Sequence, residues 1–241
     1  MRTFIAFFIL FLSSFVITPY YWYLKALSKK DPDTAWEKAY RLVRGFFFLE
    51  LKLMKAKVTV RGHENIPEDT ACLFVGNHRS YFDILITHNT IGRPVGYIAK
   101  SEMKKAPLIR LYMKAIGCLF LDRDNIRQGL ETINQGAELL KQGHSMVLFP
   151  EGHRSHEDTF LPFKEGGYKM ADKSGCPIIP FAVSRTDILL ECAPKGLRKW
   201  QEVFIEFGEP IYPNDYPIKE RKAKYKEIPD IIAGMRKTHK I

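Results

Sequence analysis

The first stretch of the chain is almost free of polar positions. No residue from Thr3 to Leu24 is charged, and the run from Phe4 to Ile17 is aliphatic or phenylalanine except for two adjacent serines. At about 1.5 Å per helical residue, this run could just cross a bilayer core of roughly 30 Å, although Pro19 interrupts the pattern. A cleaved signal peptide is the alternative. Arg2 is the only basic residue before the apolar run, and no small-residue cleavage site follows the run. Both features favour a retained anchor.

The segment from Asp33 to Lys55 is amphipathic. At about 100° per residue, its apolar residues share one side of a helix and its charged, mostly basic, residues share a narrow arc. Such a helix either covers a soluble core or lies in the headgroup layer with its cations on phosphates. Because it directly follows the apolar run, we interpret residues 1–55 as two membrane-associated helices, with Tyr20 to Tyr23 in the interfacial aromatic belt. The apolar side comprises Trp36, Tyr40, Val43, Phe47, Leu51 and Met54, and the arc comprises Glu37, Arg41, Arg44, Lys52 and Lys55.

Residues 56–241 alternate between short β-branched or aromatic runs and amphipathic segments of helical length. This alternation predicts an α/β domain with a mostly parallel central sheet and flanking helices. In such sheets, ligands bind at loops that leave the carboxyl ends of strands. The predicted strands are Lys57–Arg61, Ala71–Val75, Val95–Ala99, Cys118–Leu121, Met146–Phe149, Ile178–Val183 and Val203–Phe207, and the predicted helices are Asp83–Thr90, Glu102–Ala115, Ile126–Lys141 and Glu165–Lys173.

Amino-acid composition limits the classes of binding partner and the cellular compartment. The 241 residues carry a net charge of +10, which favours an anionic partner such as nucleic acid, an acidic lipid surface or a phosphorylated substrate. Nucleic acid fits poorly, because the aromatic residues concentrate in the apolar amino terminus rather than beside basic residues in a groove. The 4 cysteines form no Cys-x-x-Cys pair, which argues against a disulfide framework or a cysteine zinc site and fits a cytosol-facing protein.

His78 and Asp83 follow the predicted strand that ends at Val75. In a regular helix these two residues would lie about 500° apart, on different faces. The spacing works if His78 precedes the helix and Asp83 lies in its first turn, where the carboxylate can fix the imidazole tautomer and stabilise an imidazolium. No serine or cysteine is obviously partnered as a nucleophile. The pattern indicates a histidine base acting on a hydroxyl, the alternative being a helix-start carboxylate beside an ordinary loop histidine.

Two further loops at strand ends carry arginine. The loop from Phe149 to Ser155 contains Gly152, which permits an unusual backbone angle, and Arg154, whose planar fork suits a phosphate. Glu151 can hold that fork or a substrate hydroxyl. The strand ending at Leu121 delivers Arg123 to the same edge of the sheet. Taken alone, an arginine at such a position is more often a solvated or ion-paired surface residue.

Together these segments resemble the glycerolipid acyltransferase family, specifically the 1-acylglycerol-3-phosphate acyltransferases. The resemblance runs from about Gly62 to Gly208 and depends on motifs that occur in the same order. The main departure is His153, where the family usually has threonine. The matching segments are Asn77–Asp83 for the His-x4-Asp motif, Gly117–Arg123 for Gly-x-x-Phe-aliphatic-x-Arg, Phe149–Ser155 for Phe-Pro-Glu-Gly-Thr-Arg-Ser, Ile179–Phe181 for the proline-containing block, Phe163–Gly166 for Phe-Lys-x-Gly, and Lys100–Glu102 for the basic pre-helix motif.

The resemblance implies transfer of a fatty acyl group from acyl-CoA or an acyl carrier protein to the 2-hydroxyl of lysophosphatidic acid, with His78 as the base and Asp83 as its partner. Backbone N–H groups near the start of the Asp83 helix are then candidate oxyanion donors. The implied phosphate ligands are Arg123, Arg154 and Lys100, with Glu151 and Gly152 shaping the acceptor site. The implied location is the cytoplasmic face of the cell membrane, where the basic runs Lys195–Lys199 and Lys219–Lys226 add attraction to anionic lipid or remain a solvated surface.

Three alternatives remain open from the sequence. The acceptor could be another lysophospholipid or a lyso-amino-lipid, and the fold could serve as a non-catalytic lipid-binding scaffold. His153 also forms a loose pair with His156 near Glu151 and Asp158, which is compatible with a divalent-metal cluster. The resemblance itself implies no metal and no other cofactor.

Overall fold

The computed structural model describes residues 2–122, 124–155, 157, 159–192 and 199–238. These residues form a seven-stranded sheet in the order β1-β7-β6-β2-β5-β3-β4. The strands are β1 (Ala56–Arg61), β2 (Leu73–Gly76), β3 (Val95–Lys100), β4 (Leu119–Leu121), β5 (Ser145–Leu148), β6 (Ile178–Ser184) and β7 (Gln201–Phe207). The helices are α1 (Arg2–Leu27), α2 (Pro32–Leu53), α3 (Phe82–Thr90), α4 (Pro107–Ala115), α5 (Ile126–Lys141), α6 (Lys169–Ser174), α7 (Ile218–Tyr225) and α8 (Ile228–Lys237).

The sheet confirms the predicted mostly parallel α/β architecture. All neighbouring strands are parallel except β6 and β7, which are antiparallel. Alternate residues of β2 therefore enter two different cores, because successive side chains of a strand point to opposite faces. Phe74 packs with α1 to α4 on one face, whereas Leu73 and Val75 pack with α5 to α8 on the other. Since β2 is central and buried on both faces, it reads as a continuous apolar run.

Two helical predictions need correction. The segment predicted as one helix over Glu102–Ala115 is a 3₁₀ helix over Ser101–Lys105 followed by α4. Pro107 explains the break, because a proline excludes the preceding residue from helical geometry, and Ala106 is extended. The segment predicted over Glu165–Lys173 likewise divides into a 3₁₀ turn and the short α6. Helices α7 and α8 were not predicted.

The two amino-terminal helices form a hairpin that shares the core of the α/β region. Asp31 caps α2 by accepting a hydrogen bond from the Thr34 N–H, and Lys38 in α2 donates to the Tyr23 hydroxyl in α1. The sequence left two interpretations of α2 open, a helix that covers the core and a helix that lies in the headgroup layer. The structure shows that the apolar side of α2 covers the protein core. The buried residues of that side are Tyr40, Val43, Phe47, Leu51 and Met54, and Trp36 is half-buried.

Other apolar side chains of the hairpin are exposed, including Phe4, Phe8 and Phe15 of α1 and Phe48 of α2. Within the part of the chain that the structure describes, no helix combines the length and apolar character that crossing a membrane requires. Membrane association of residues 1–55 therefore stays a prediction. The proposed domain boundary at residue 55 separates the hairpin from the sheet, although residues of both pack in one core.

Two adjacent phenylalanines test the packing of α2. Phe47 is 7% exposed in the core and Phe48 is 62% exposed. We expect Phe47→Ala to lower the free energy of unfolding by about 3–5 kcal/mol, because it leaves a cavity under α2. Phe48→Ala is the matched control and should change that free energy by less than about 0.5 kcal/mol. Chemical denaturation of both variants in the same buffer measures the difference, and equal effects would contradict this orientation of α2.

Candidate active site

Four loops meet at one edge of the sheet. Because β2, β5, β3 and β6 are mutually parallel, their carboxyl ends lie on the same side. The loop after β2 carries His78 and the loop after β5 carries residues 151–154. Lys100 is the last residue of β3, and the loop after β6 continues into a 3₁₀ turn over Thr186–Leu189. Loops that are far apart in the sequence therefore meet at the loop that carries His78.

His78 and Asp83 are in direct contact, as their spacing predicts. His78 Nδ1 lies 2.7 Å from Asp83 Oδ2, and the Asp83 side chain is fully buried. The same oxygen accepts the Arg79 N–H at 2.6 Å and the Ser80 N–H at 2.8 Å. An oxygen that accepts two backbone donors acts as an acceptor toward the imidazole as well, so Nδ1 carries the proton and Nε2 keeps the lone pair. The ring is thus oriented as a base.

The backbone and ring of His78 are held from the neighbouring loop. Its N–H donates to Glu151 Oε1 at 2.8 Å, and its carbonyl oxygen accepts the Ser155 N–H at 2.9 Å. Its ring stacks on Phe149, with ring centroids 4.3 Å apart and planes 18° from parallel. With 16% of the side chain exposed, the imidazole is fixed in position but still reaches the surface of the site.

Glu151 is a buried carboxylate that binds backbone. In addition to the His78 N–H, it accepts the Leu161 N–H at 2.9 Å on its other oxygen. Burial raises the pKa of Glu151 above the ordinary value of a glutamate, and the two N–H donors act in the opposite direction. Both oxygens are thus used within the protein. Glu151 supports the backbone of His78. The predicted contact of Glu151 with an acceptor molecule stays a prediction.

Gly152 and Arg154 shape the next part of the loop. Gly152 has a φ of 72°, the left-handed conformation that glycine adopts at little cost. Arg154 Nη1 donates to Glu191 Oε1 at 2.7 Å, and its guanidinium lies over the Tyr81 ring, 3.7 Å from the ring centroid. The Arg154 side chain is 30% exposed. It therefore lies at the edge of the site, beside the loop that carries His78.

Lys100 reaches the same loop through His153. Its Nζ lies 3.1 Å from His153 Nδ1, so the residue that departs from the family motif contacts a predicted phosphate ligand. Arg123 lies outside the described residues, as do His156 and Asp158 of the metal alternative. Within the described ranges, no three His, Cys, Asp or Glu side chains are grouped to hold a metal ion.

The N–H groups at the start of α3, which were expected as oxyanion donors, each have an acceptor within the protein. The N–H groups of Arg79 and Ser80 donate to Asp83, and that of Tyr81 donates to Glu191 at 3.1 Å. The Phe82 N–H donates to Ser80 Oγ. The Asp83 N–H donates to the Ser80 carbonyl. These N–H groups therefore form hydrogen bonds that stabilise the loop, in a pattern related to a capping box.

The sequence analysis did not identify the residues that bind this loop to β6. Asn77 pairs its side-chain amide with both backbone groups of Val183, at 3.0 and 2.9 Å. Arg79 Nη2 lies 2.9 Å from Asp187 Oδ2. Ser80 Oγ donates to Glu191 Oε2 at 2.6 Å. The available signal was that the loop after β6, like the other three, leaves the carboxyl end of a parallel strand.

Comparison with known proteins gives consistent matches. The sequence model of the family described as Acyltransferase matches residues 57–184. The chain is 32% identical over 157 residues to the chloroplastic 1-acyl-sn-glycerol-3-phosphate acyltransferase BAT2 of Brassica napus, covering 65% of this chain and 45% of the relative. It is 32% identical over 197 residues to a probable 1-acyl-sn-glycerol-3-phosphate acyltransferase of Mycoplasma pneumoniae, covering 77% of this chain and 71% of the relative. The chain spans about half the length of several curated relatives that it matches.

A solved structure is similar over nearly the whole chain. It is the crystal structure of the 1-acyl-sn-glycerophosphate acyltransferase PlsC from Thermotoga maritima, with a TM-score of 0.70 and 26% sequence identity. The match covers 97% of this chain and 95% of that one. It thus includes the amino-terminal hairpin as well as the sheet.

Nitrogen NMR tests the geometry of His78 and Asp83. In ¹⁵N-histidine-labelled protein, we expect the His78 signals, assigned with His78→Gln, to show the Nδ1–H tautomer. Asp83→Ala should give a mixture of tautomers and lower the free energy of unfolding by about 1–3 kcal/mol, because two buried N–H groups lose their acceptor. Asp83→Asn is the control, since one amide oxygen can still accept all three donors. An Nε2–H tautomer in the unmodified protein would contradict this assignment.

Proposed function

Because the chain belongs to the Acyltransferase family, we propose that it moves a fatty acyl group from a thioester donor to the 2-hydroxyl of lysophosphatidic acid, giving phosphatidic acid. The observation that carries this proposal is the His78–Asp83 contact, with Arg154 over the Tyr81 ring of the same loop and Lys100 against His153 of the loop after β5. The pair supplies a base for a hydroxyl, and the two cations suit the phosphate of the same acceptor molecule.

In the proposed reaction, the lone pair on His78 Nε2 takes the proton of the acceptor hydroxyl. The hydroxyl oxygen then attacks the thioester carbonyl carbon, and collapse of the tetrahedral intermediate breaks the carbon–sulfur bond. The thiolate leaves and takes up the proton held by the imidazolium, which restores the base. Asp83 stabilises the imidazolium through Nδ1, and a general base of this kind typically contributes about 10²–10⁴-fold to the rate.

The acceptor phosphate is proposed to bind Arg154 and Lys100, with Arg123 as a further ligand. Charge-assisted hydrogen bonds to the phosphate would hold the neighbouring glycerol hydroxyl near His78, which is catalysis by positioning. Glu151 is proposed to act through His78, because its two oxygens already bind the His78 and Leu161 N–H groups. Gly152, in the left-handed conformation, lies in the turn between Glu151 and Arg154.

The proposed donor is acyl-CoA or an acyl carrier protein, and no further cofactor is required by the chemistry. The proposed location is the cytoplasmic face of the cell membrane, on an anionic surface. The exposed phenylalanines of α1 support this location, because a lipid-facing helix keeps apolar side chains on its surface. The net charge of +10 is also suited to an acidic lipid layer. An enzyme at that surface need not extract the acyl chain of its acceptor into water.

A panel of acceptors and donors tests the reaction. Purified protein is offered lysophosphatidic acid, other lysophospholipids and a lyso-amino-lipid, each with acyl-CoA or acyl carrier protein, and the products are identified by mass spectrometry. We expect phosphatidic acid from lysophosphatidic acid. Efficient acylation of another acceptor alone would replace the proposed substrate, and no transfer to any acceptor would favour a lipid-binding scaffold.

Removal of the proposed base tests the mechanism. His78→Ala should lower kcat by at least about 10²-fold while membrane association and the melting temperature stay near those of the unmodified protein. His63→Ala is the matched control, because His63 is exposed and follows the end of β1, at the opposite edge of the sheet. Normal turnover by His78→Ala would remove the proposed base.

Arg154 tests acceptor binding. We expect Arg154→Ala to raise KM for lysophosphatidic acid about 10–100-fold, with a smaller change in KM for the donor. Arg154→Lys should recover part of the loss, since it keeps the charge without the planar fork. Arg127→Ala removes an equal charge from a side chain that is 92% exposed and should leave both constants unchanged. An unchanged acceptor KM in Arg154→Ala would contradict the phosphate role.

A further inference from the structure

Glu191 joins the phosphate-binding arginine to the loop that carries the catalytic pair. Its Oε1 accepts Arg154 Nη1 at 2.7 Å and the Tyr81 N–H at 3.1 Å. Its Oε2 accepts Ser80 Oγ at 2.6 Å. The Glu191 side chain is 14% exposed, so these bonds are largely shielded from water. We infer that Glu191 is a positioning residue that sets the distance between the bound acceptor phosphate and His78.

The guanidinium of Arg154 is held by two groups of different kinds. Its face lies 3.7 Å from the centroid of the Tyr81 ring, and its edge donates to Glu191. Because Tyr81 also donates its backbone N–H to Glu191, the ring and the carboxylate are themselves fixed to each other. An arginine held this way has lost most of its rotamer freedom before the acceptor arrives.

The same contacts reach the catalytic pair through one residue. Ser80, which donates to Glu191, also donates its backbone N–H to Asp83 Oδ2, the oxygen that binds His78. A continuous chain of hydrogen bonds therefore runs from Arg154 through Glu191 and Ser80 to Asp83. Displacement of a reacting group by about 1 Å can cost on the order of 10² in rate, so the length of this chain matters for catalysis.

Glu191 also opposes acceptor binding. Its negative charge partly neutralises Arg154, and an incoming phosphate meets this charge at the edge of the site. The position of Glu191 thus favours the rate of the bound complex at the expense of affinity. A purely structural role would predict neither a lower rate at unchanged affinity nor tighter binding on loss of the charge.

Glutamine separates the two effects. Its amide oxygen can replace Oε1 and accept Arg154 and Tyr81, while its NH₂ group can donate to Ser80 Oγ, which has capacity to accept. Glu191→Gln therefore removes the charge and keeps the contacts, with the direction of the Ser80 hydrogen bond reversed, whereas Glu191→Ala removes both charge and contacts. Two other links hold the loop in either variant, the pairing of Asn77 with Val183 of β6 and the ion pair of Arg79 with Asp187 in the 3₁₀ turn after β6.

This inference rests on the proposed function, and kinetics with the acceptor that the panel identifies test it. We expect Glu191→Ala to lower kcat about 10–100-fold with acceptor KM no higher than in the unmodified protein, because removal of the negative charge offsets the loss of Arg154 pre-organisation. We expect Glu191→Gln to restore most of kcat and to lower acceptor KM by about threefold or more. Glu202→Gln is the matched control, because it removes the same charge from a residue of β7 that pairs with Lys57.

A binding measurement separates failure of this inference from failure of the proposed function. Glycerol 3-phosphate is titrated into each variant by NMR, with melting temperature as the check on folding. Tighter binding to Glu191→Gln than to the unmodified protein supports the inference even if lysophosphatidic acid is not the acceptor. Equal binding, or a kcat in Glu191→Ala equal to that of the unmodified protein, overturns it. So does a loss in Glu191→Ala that appears only as raised KM.

Discussion

The site depends on a single carboxylate oxygen that organises the turn between β2 and α3. Asp83 Oδ2 accepts two backbone N–H groups and the imidazole of His78, with the side chain fully buried. The N–H groups of Arg79 and Ser80 lie before α3 and have no acceptor within the helix, so the Asp83 carboxylate supplies one. The direction of the His78 ring and the path of the chain into α3 therefore both depend on this oxygen.

The hairpin shows why an apolar pattern alone does not reveal whether a helix packs against protein or against lipid. Val43 and Phe47 meet the protein core, while Phe48, one residue further on, is exposed. A stripe that suits a protein interior also suits the headgroup region of a bilayer, because both environments reward removal of apolar surface from water. Only the partner surface distinguishes the two, and that surface comes from α3 and the sheet.

Much of the architecture could be predicted because strands and helices have different hydrophobic periods. The seven strands and α5 follow that rule closely. Helix α7 could not be found in this way, because Tyr225 is its only buried residue and the remaining pattern is that of a basic surface.

In the site, His78 and Asp83 were predictable from local spacing. Glu191 was not, because its contacts with Ser80 and Arg154 span 111 and 37 residues.

The span of these contacts determines when the site can exist during synthesis. Strand β2 leaves the ribosome early, but its neighbours in the finished sheet, β5 and β6, follow about a third of the chain or more later. Parallel pairing of distant strands is slow, since a long loop must close before any contact forms. A nascent chain that ends before residue 191 lacks the carboxylate that holds Arg154. The centre therefore cannot be complete before residue 191 is synthesised, and a product truncated before that point would carry the motif residues without the contacts that Glu191 makes to Arg154 and Ser80.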